Sequence, residues 1–331
     1  MEPAGGQVAL REHAERLGVA HEVEDPVKVR VGLGLGGALR GEDLWPVTDT
    51  SEEVGLDSLW FAERLAGDQL SPVVAMAAVA ARTRRLRFGT SATILPGRDP
   101  VRLAKDIASI DVLSQGRVVP VFGLVTPHSG DRELLRVPHG AAGRWADEAL
   151  EVMRRLWVGE TIDHDGEFFS YRDLRVGPRT ADSPHLDVWT AGHSAAAIER
   201  AGRFADGWLP SFLPPSRYAR AAQQVIAAAG RAGRGWDLGH FGMVIPYVPH
   251  GGRQAARPLL EALSRRLPPQ DRAQVVVEEP SEVLDQVERY VEAGASKFVV
   301  LPLVAPGDWR EEIVWLQETV GGPVRGWHPP G

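Results

Sequence analysis

The stretch LRFGTSATILPGRDPVRLAKDIASIDVLSQG, residues 86–116, reads as one β-strand (86–95) and the helix that follows it (100–116). The strand is a short apolar run without strict polar alternation, the pattern of a strand covered by helices. The same unit recurs on both sides. Before it stand VKVRVGLGL (27–35) with a helix in 43–55 closing at Gly55, and LDSLWFA (56–62) with the helix LSPVVAMAAVAART (70–83), Pro72 near its first turn. After it come RVVPVFGLV (117–125) with a helix in 143–159, LDVWTAG (186–192) with 194–205, and DGWLPSF (206–212) with 215–230. FGMVIPYVP (241–249) with a helix in 281–295, and KFVVLPLV (297–304) with 307–320, complete the series. Eight strand–helix alternations predict parallel βαβ units closing into an α/β fold, the (β/α)8 TIM barrel; an open doubly wound sheet is the structural alternative.

One segment breaks the rhythm. GETIDHDGEFFSYRDLRVGPR (159–179) lies between the fourth helix and the fifth strand, and Asp165-Gly166 is a hairpin signal. It reads as a hairpin inserted over the barrel. Residues 1–26, with a helix-like spacing of Val8, Leu10, Ala14 and Leu17, read as an N-terminal arm on a single domain of residues 27–331.

Composition narrows the function classes. The 331 residues carry 37 Lys plus Arg against 44 Asp plus Glu, a formal net charge of −7, which is not the basic footprint of a nucleic-acid binder. No apolar run reaches the roughly 18–20 residues that cross a bilayer. Zero cysteines exclude disulfide scaffolds, zinc–cysteine sites, iron–sulfur clusters and thiol catalysis. The first residues lack a basic start and an apolar stretch, so a cytoplasmic location is the expectation.

Three motifs invite chemistry. Gly32, Gly34 and Gly37 satisfy G-x-G-x-x-G after a strand, but ALRGEDLWP follows where a dinucleotide site needs a helix. Room for a ligand or for the chain itself is the competing explanation. Gly192-His193-Ser194-Ala195-Ala196 imitates a serine nucleophile elbow, yet at the fifth of eight strands it is out of place for an α/β-hydrolase. The ten histidines show no spacing of a zinc pair, so no metal is expected.

In a barrel of this kind chemistry sits at the C-terminal ends of the strands. Those ends carry Gly36 and Gly37, Glu63 and Arg64, Ser91 and Thr93 with Arg98 beyond, Thr126 and His128, Gly192 to Ser194, Ser211, and His250. The turn Ala191-Gly192-His193-Ser194 runs from a strand into a helix and presents free N–H groups, which suits a phosphate; Ser194 serves either as donor to it or simply as N-cap.

GLDSLWFAERL, LRFGTSATILPGRDPVRLAKDIASIDVLSQGR, HDGEFF and AGHSAAAIERAGRFADGWLPS together resemble the luciferase-like monooxygenase superfamily, and within it the actinobacterial coenzyme F420-dependent oxidoreductases, over residues 28–320. The resemblance implies a dimeric barrel holding a deazaflavin or flavin in its C-terminal mouth. It implies a bulge, often with a cis peptide, at Ser91-Ala92 behind the ring, an acid at Glu63 beside the ring, and a phosphate turn at Gly192, His193, Ser194 and Ala195. Arg64, Thr126 and His128 would line the substrate side, His128 as proton donor, and Arg98 either meets an anionic substrate or cofactor tail or is a solvated loop arginine. The chain departs from its relatives at Arg64, where they carry His, at Thr126, where they carry a catalytic Glu, and at Ala191, where they carry Gly. Only Gly123 survives of their glycine-rich fourth strand. The expected function is hydride transfer between F420 and a small organic substrate. The alternatives are an FMN-dependent monooxygenase using oxygen and a reductase partner, and a non-catalytic ligand-binding barrel.

Overall fold

A computed structural model describes residues 27–125, 130–181, 186–265, 267 and 269–327. The arm of residues 1–26, Thr126 and His128 lie outside the described residues. The repeating units are β1 (Arg30–Leu35), α1 (Leu44–Val54), β2 (Ser58–Phe61), α2 (Pro72–Arg82), β3 (Arg87–Thr90) with β4 (Thr93–Ile94), and α3 (Pro100–Ser114). Next come β5 (Val118–Val119) with β6 (Val121–Gly123), α4 (Ala142–Trp157), β7 (Ile162–Asp165), β8 (Ser170–Leu174), β9 (Trp189–Thr190), α5 (Ala195–Phe204), β10 (Gly207–Trp208) and α6 (Pro215–Arg231). The last third holds β11 (Gly242–Tyr247), α7 (Arg253–Ser264), α8 (Pro269–Val275), α9 (Val283–Glu292), β12 (Lys297–Pro302) and α10 (Trp309–Leu316).

The third and fourth barrel strands are each broken once, at Ser91-Ala92 and at Pro120. All pairings around the barrel are parallel: β12–β1–β2–β3–β5 on one side of the breaks, β4–β6–β9–β10 on the other, and β11–β12. Parallel bridges Trp208–Phe241 and Ser211–Val244 join strand six to strand seven and close the cylinder. The eight-stranded barrel read from the alternation is the fold.

Strand periodicity explains the glycine motif. A Cβ on Gly32 would lie 2.3 Å from Ser58 Oγ and 2.7 Å from Trp60 Nε1, and one on Gly34 2.8 Å from Leu301 Cδ1. These glycines make space for large side chains inside the barrel, whose dry core is Trp60, Val119, Val121, Trp189, Leu209, Val244 and Val299. A second, larger apolar layer fills the space between barrel and helices.

The inserted hairpin is β7 with β8, antiparallel, with a bulge between Ile162 and His164. Its loop is longer than the Asp-Gly signal suggests: Gly166 N–H donates to Phe169 O at 2.9 Å across a four-residue connection. It is fixed on the flank of α4. Phe168 and Phe169 lie 4.9 and 5.0 Å from the Trp145 ring, and the Glu148 carboxylate accepts from both their N–H groups and contacts His164 Nε2 at 3.0 Å.

Candidate functional site

The break in strand three shapes the C-terminal mouth. The Ser91–Ala92 peptide is cis. Ser91 N–H donates to Phe61 O at 2.9 Å, and Thr90 Oγ1 both donates to Val121 O and accepts from Val121 N–H, pinning the bulge to both neighbouring strands. Beyond it, Ala92 faces Gly123, where an added Cβ would stand 3.2 Å from the Ala92 Cβ and 3.5 Å from that of Ala191. Three adjacent strands therefore end in a floor of small residues, Ala92, Gly123 and Ala191, with Leu301 completing the packing on the core below. A hydroxyl beside it, Ser91 Oγ, is buried and has no hydrogen-bond partner among the described residues. A buried polar atom without a partner costs free energy unless a ligand satisfies it. A flat, polar-edged ring system fits such a floor.

The fifth strand leads into the second half of the site. Gly192 sits at φ +96°, a backbone region that favours glycine, and its carbonyl accepts from Trp208 Nε1 at 2.8 Å. Ser194 is the N-cap of α5, its Oγ accepting from Ala197 N–H at 3.2 Å. The N–H groups of Ala195 and Ala196 stand in the first turn, where no intrahelical acceptor exists, and both residues are exposed. That arrangement receives an anion at the positive end of the helix dipole. Partial burial, with Arg217 nearby, holds the His193 imidazole below its ordinary pKa.

Glu63 is held closely by its neighbours. It is 8% exposed, with one oxygen accepting from Ile94 N–H at 2.7 Å and the other from Arg98 Nη2. Burial pushes its carboxyl above the usual range, and Arg98 opposes that shift. Arg98 in turn donates through Nε to Ile94 O at 3.0 Å. The pair clamps the segment just beyond the bulge, so Arg98 is committed inside the chain rather than waiting for an anionic tail. Arg64 is half exposed, its Nε 3.4 Å from the buried Asp131, which also accepts from the N–H groups of Leu65 and Ala66. Nothing in the sequence pattern marked Asp131, which lies 65 residues from the loop it holds.

Comparison with known proteins agrees with this architecture. The description "Luciferase-like monooxygenase" matches residues 31–275. The chain belongs to the luciferase-like monooxygenase family. An uncharacterized protein of Mycobacterium tuberculosis is 37% identical over 172 residues, 50% of this chain and 58% of that protein. This luciferase-like chain thus spans about half the length of the curated relatives it matches. Among solved structures, an F420-dependent secondary alcohol dehydrogenase in complex with an F420–acetone adduct superposes with a TM-score of 0.77 at 18% identity, covering 90% of this chain and 99% of that one. The monooxygenase RslO1 from Streptomyces bottropensis superposes with a TM-score of 0.74 at 22% identity, covering 88% and 97%. At these identities the likeness is one of fold. Among the described residues no helix is long and apolar enough to cross a membrane, and no group of three metal-ligating side chains occurs.

Proposed function

We propose that this luciferase-like chain is an oxidoreductase that holds a deazaflavin, coenzyme F420, in the C-terminal mouth and moves a hydride between it and a small organic substrate. The observation that carries the reading is the small-residue floor of Ala92, Gly123 and Ala191 beside the unpartnered Ser91 hydroxyl, facing the open N–H groups of α5. Ser91, Ala92 and Glu63 belong to the ring end and Gly192, His193, Ser194 and Ala195 to the phosphate end. When bound and reduced, the deazaflavin supplies the hydride; the chain orients it and shields it from water. Ser91 Oγ gains a partner on the ring edge, Ala195 and Ala196 N–H bind phosphate oxygens, and the Glu63–Arg98 clamp keeps the bulge in place. This reading assigns Arg64, Thr126 and His128 to the substrate side, with His128 as proton donor, and a homodimer goes with it. The sequence likeness to the F420-dependent branch supports deazaflavin over flavin. The likeness to a monooxygenase supports a second reading, in which FMN, reduced by a partner reductase, reacts with oxygen.

Fluorescence titration of the cofactor-free protein with F420 and with FMN tests the choice. Saturable binding of F420 alone upholds hydride transfer, preference for FMN moves the function to oxygen chemistry, and silence toward both leaves a ligand-binding barrel. Gly123→Val tests the floor. Its methyls occupy the space between Ala92 and Ala191, and overpacking of about 1–3 kcal/mol predicts roughly ten- to a hundredfold weaker cofactor binding with an unchanged far-UV circular dichroism spectrum. Unaltered affinity in that variant would place the ring elsewhere.

A further inference from the structure

The opposite end of the barrel holds a feature that the proposed reaction does not use. Strand alternation puts Arg30, Arg87 and Lys297 at the first inward positions of strands one, three and eight, Arg30 being the register partner of Lys297. They open onto a cavity of about 360 Å³ at the N-terminal mouth, which Lys28 also lines. Lys297 is 8% exposed, and its ammonium stands 5.9 and 5.6 Å from the ring centroids of Trp60 and Trp189. Among the described residues Lys297 Nζ has no hydrogen-bond or ion-pair partner, and Arg87 Nε is buried and likewise unpartnered. The acids nearby are engaged. Asp57 pairs with Arg30 at 3.3 Å, and Asp187 and Asp237 lie 3.8 and 3.7 Å from His240 Nε2. Among the described residues the cavity thus carries an excess of positive charge.

Residue usage sharpens the point. Only three of the 37 basic residues are lysines, Lys28, Lys105 and Lys297, and two of those three line this one cavity. Elsewhere the chain uses arginine, which keeps its proton under burial, whereas lysine releases its own. A buried cation that served packing alone would be replaced at little cost by an apolar side chain. We propose that the N-terminal mouth is a second ligand site, remote from the cofactor floor, which takes a small oxyanion, carboxylate or phosphate, between Lys297, Arg87 and Lys28.

Burial pulls the Lys297 pKa down to about 8, with Arg87 and Arg30 adding to the shift and Asp57 and Asp187 opposing it. His240, Asp237 and Lys28 face the same space. A bound oxyanion restores the charge that burial disfavours, so binding takes up a proton and weakens as pH rises through about 8.

Calorimetric titration with inorganic phosphate at fixed ionic strength reads this out in the full chain, at pH 7 and at about pH 9.5, for the wild type, Lys297→Met, Arg87→Met and Gly192→Leu. Met keeps the volume of the lysine stem, and thermal melts confirm that each variant folds. Expected are binding at pH 7 with a component that falls about tenfold or more at the higher pH and in both methionine variants, and retention of that pH-dependent component in Gly192→Leu. A parallel titration with acetate ranks carboxylate against phosphate, and either one bound with this dependence upholds the site. The proposal fails if neither anion binds the wild type. It fails equally if phosphate binding survives in Lys297→Met and disappears in Gly192→Leu, since the anion then sits at the helix terminus of the other mouth. Should Lys297→Met not fold, Arg87→Met and the pH dependence still decide the matter.

Discussion

Asp206→Ala lowers the folding stability by about 3–5 kcal/mol, the largest single loss of stability expected outside the apolar core. Asp206 is nearly buried at the start of strand six and accepts from Arg154 Nη1 at 2.7 Å, from Arg234 Nη2 at 2.7 Å and from Val188 N–H at 3.0 Å. Both arginines spend their remaining donors on carbonyls nearby, Arg154 on Phe204 O and Arg234 on Ala205 O. Removing the carboxylate strands two guanidinium groups that water reaches poorly. Denaturant unfolding measures the loss, and a change under about 1 kcal/mol would mean that the two arginines find other partners. The pH dependence has a definite sign. Burial alone would raise the Asp206 pKa, but Arg154, Val188 N–H and Arg234 together hold it below the ordinary value of 3.8. A depressed carboxylate stabilises the fold above its unfolded pKa, and that contribution drains away as pH falls through the folded value. The wild type therefore loses stability below about pH 4, and Asp206→Ala shows a shallower acid limb.

Gly192→Leu is the substitution expected to hurt cofactor binding most. At φ +96° a side chain is strained, and its Cβ would press to 3.2 Å from Ala197 Cβ, at the turn proposed to hold the phosphate. The backbone strain costs about 1–2 kcal/mol. Relief of that strain by rotating the turn misaligns two charge-assisted hydrogen bonds worth about 1.5–3 kcal/mol each. An affinity loss of about a hundredfold or more follows, read by the same fluorescence titration that measures the wild type. A leucine variant that folds and binds normally removes the phosphate from this turn.

The barrel was legible in the sequence because its information is local. Eight apolar runs each followed by a helical period, a turn signal inside 159–179, and a serine capping α5 need no knowledge of distant partners. The same locality hid the electrostatics. Glu63 reads only as an acid at a strand end, because its partners Arg98 and Ile94 lie more than thirty residues on. The Asp206 cluster draws arginines from 52 and 28 residues away. Gly32 and Gly34 look like a nucleotide fingerprint for as long as Trp60 and Leu301, which fill the space above them, are unseen. Lys297 could be placed on a strand face from its neighbours, but its charge stands out only when closure brings the two tryptophans to either side of it.

The closure has a weak place. Strand six meets strand seven through two bridges, whereas β11 and β12 share six register pairs. A packed cylinder parts most easily where fewest bonds must break, and the line between Trp208 and Phe241 is the last of four such seams, since β4–β6, β6–β9 and β9–β10 also share two pairs each. One lip of that line is tied to the Gly192 carbonyl through the Trp208 indole. The floor of Ala92 and Gly123 lies in the same sparsely paired half, apart from the β11–β12–β1–β2–β3 wall. A ligand spanning the floor and the Gly192 turn would thus stitch together the strands that the backbone itself pairs least.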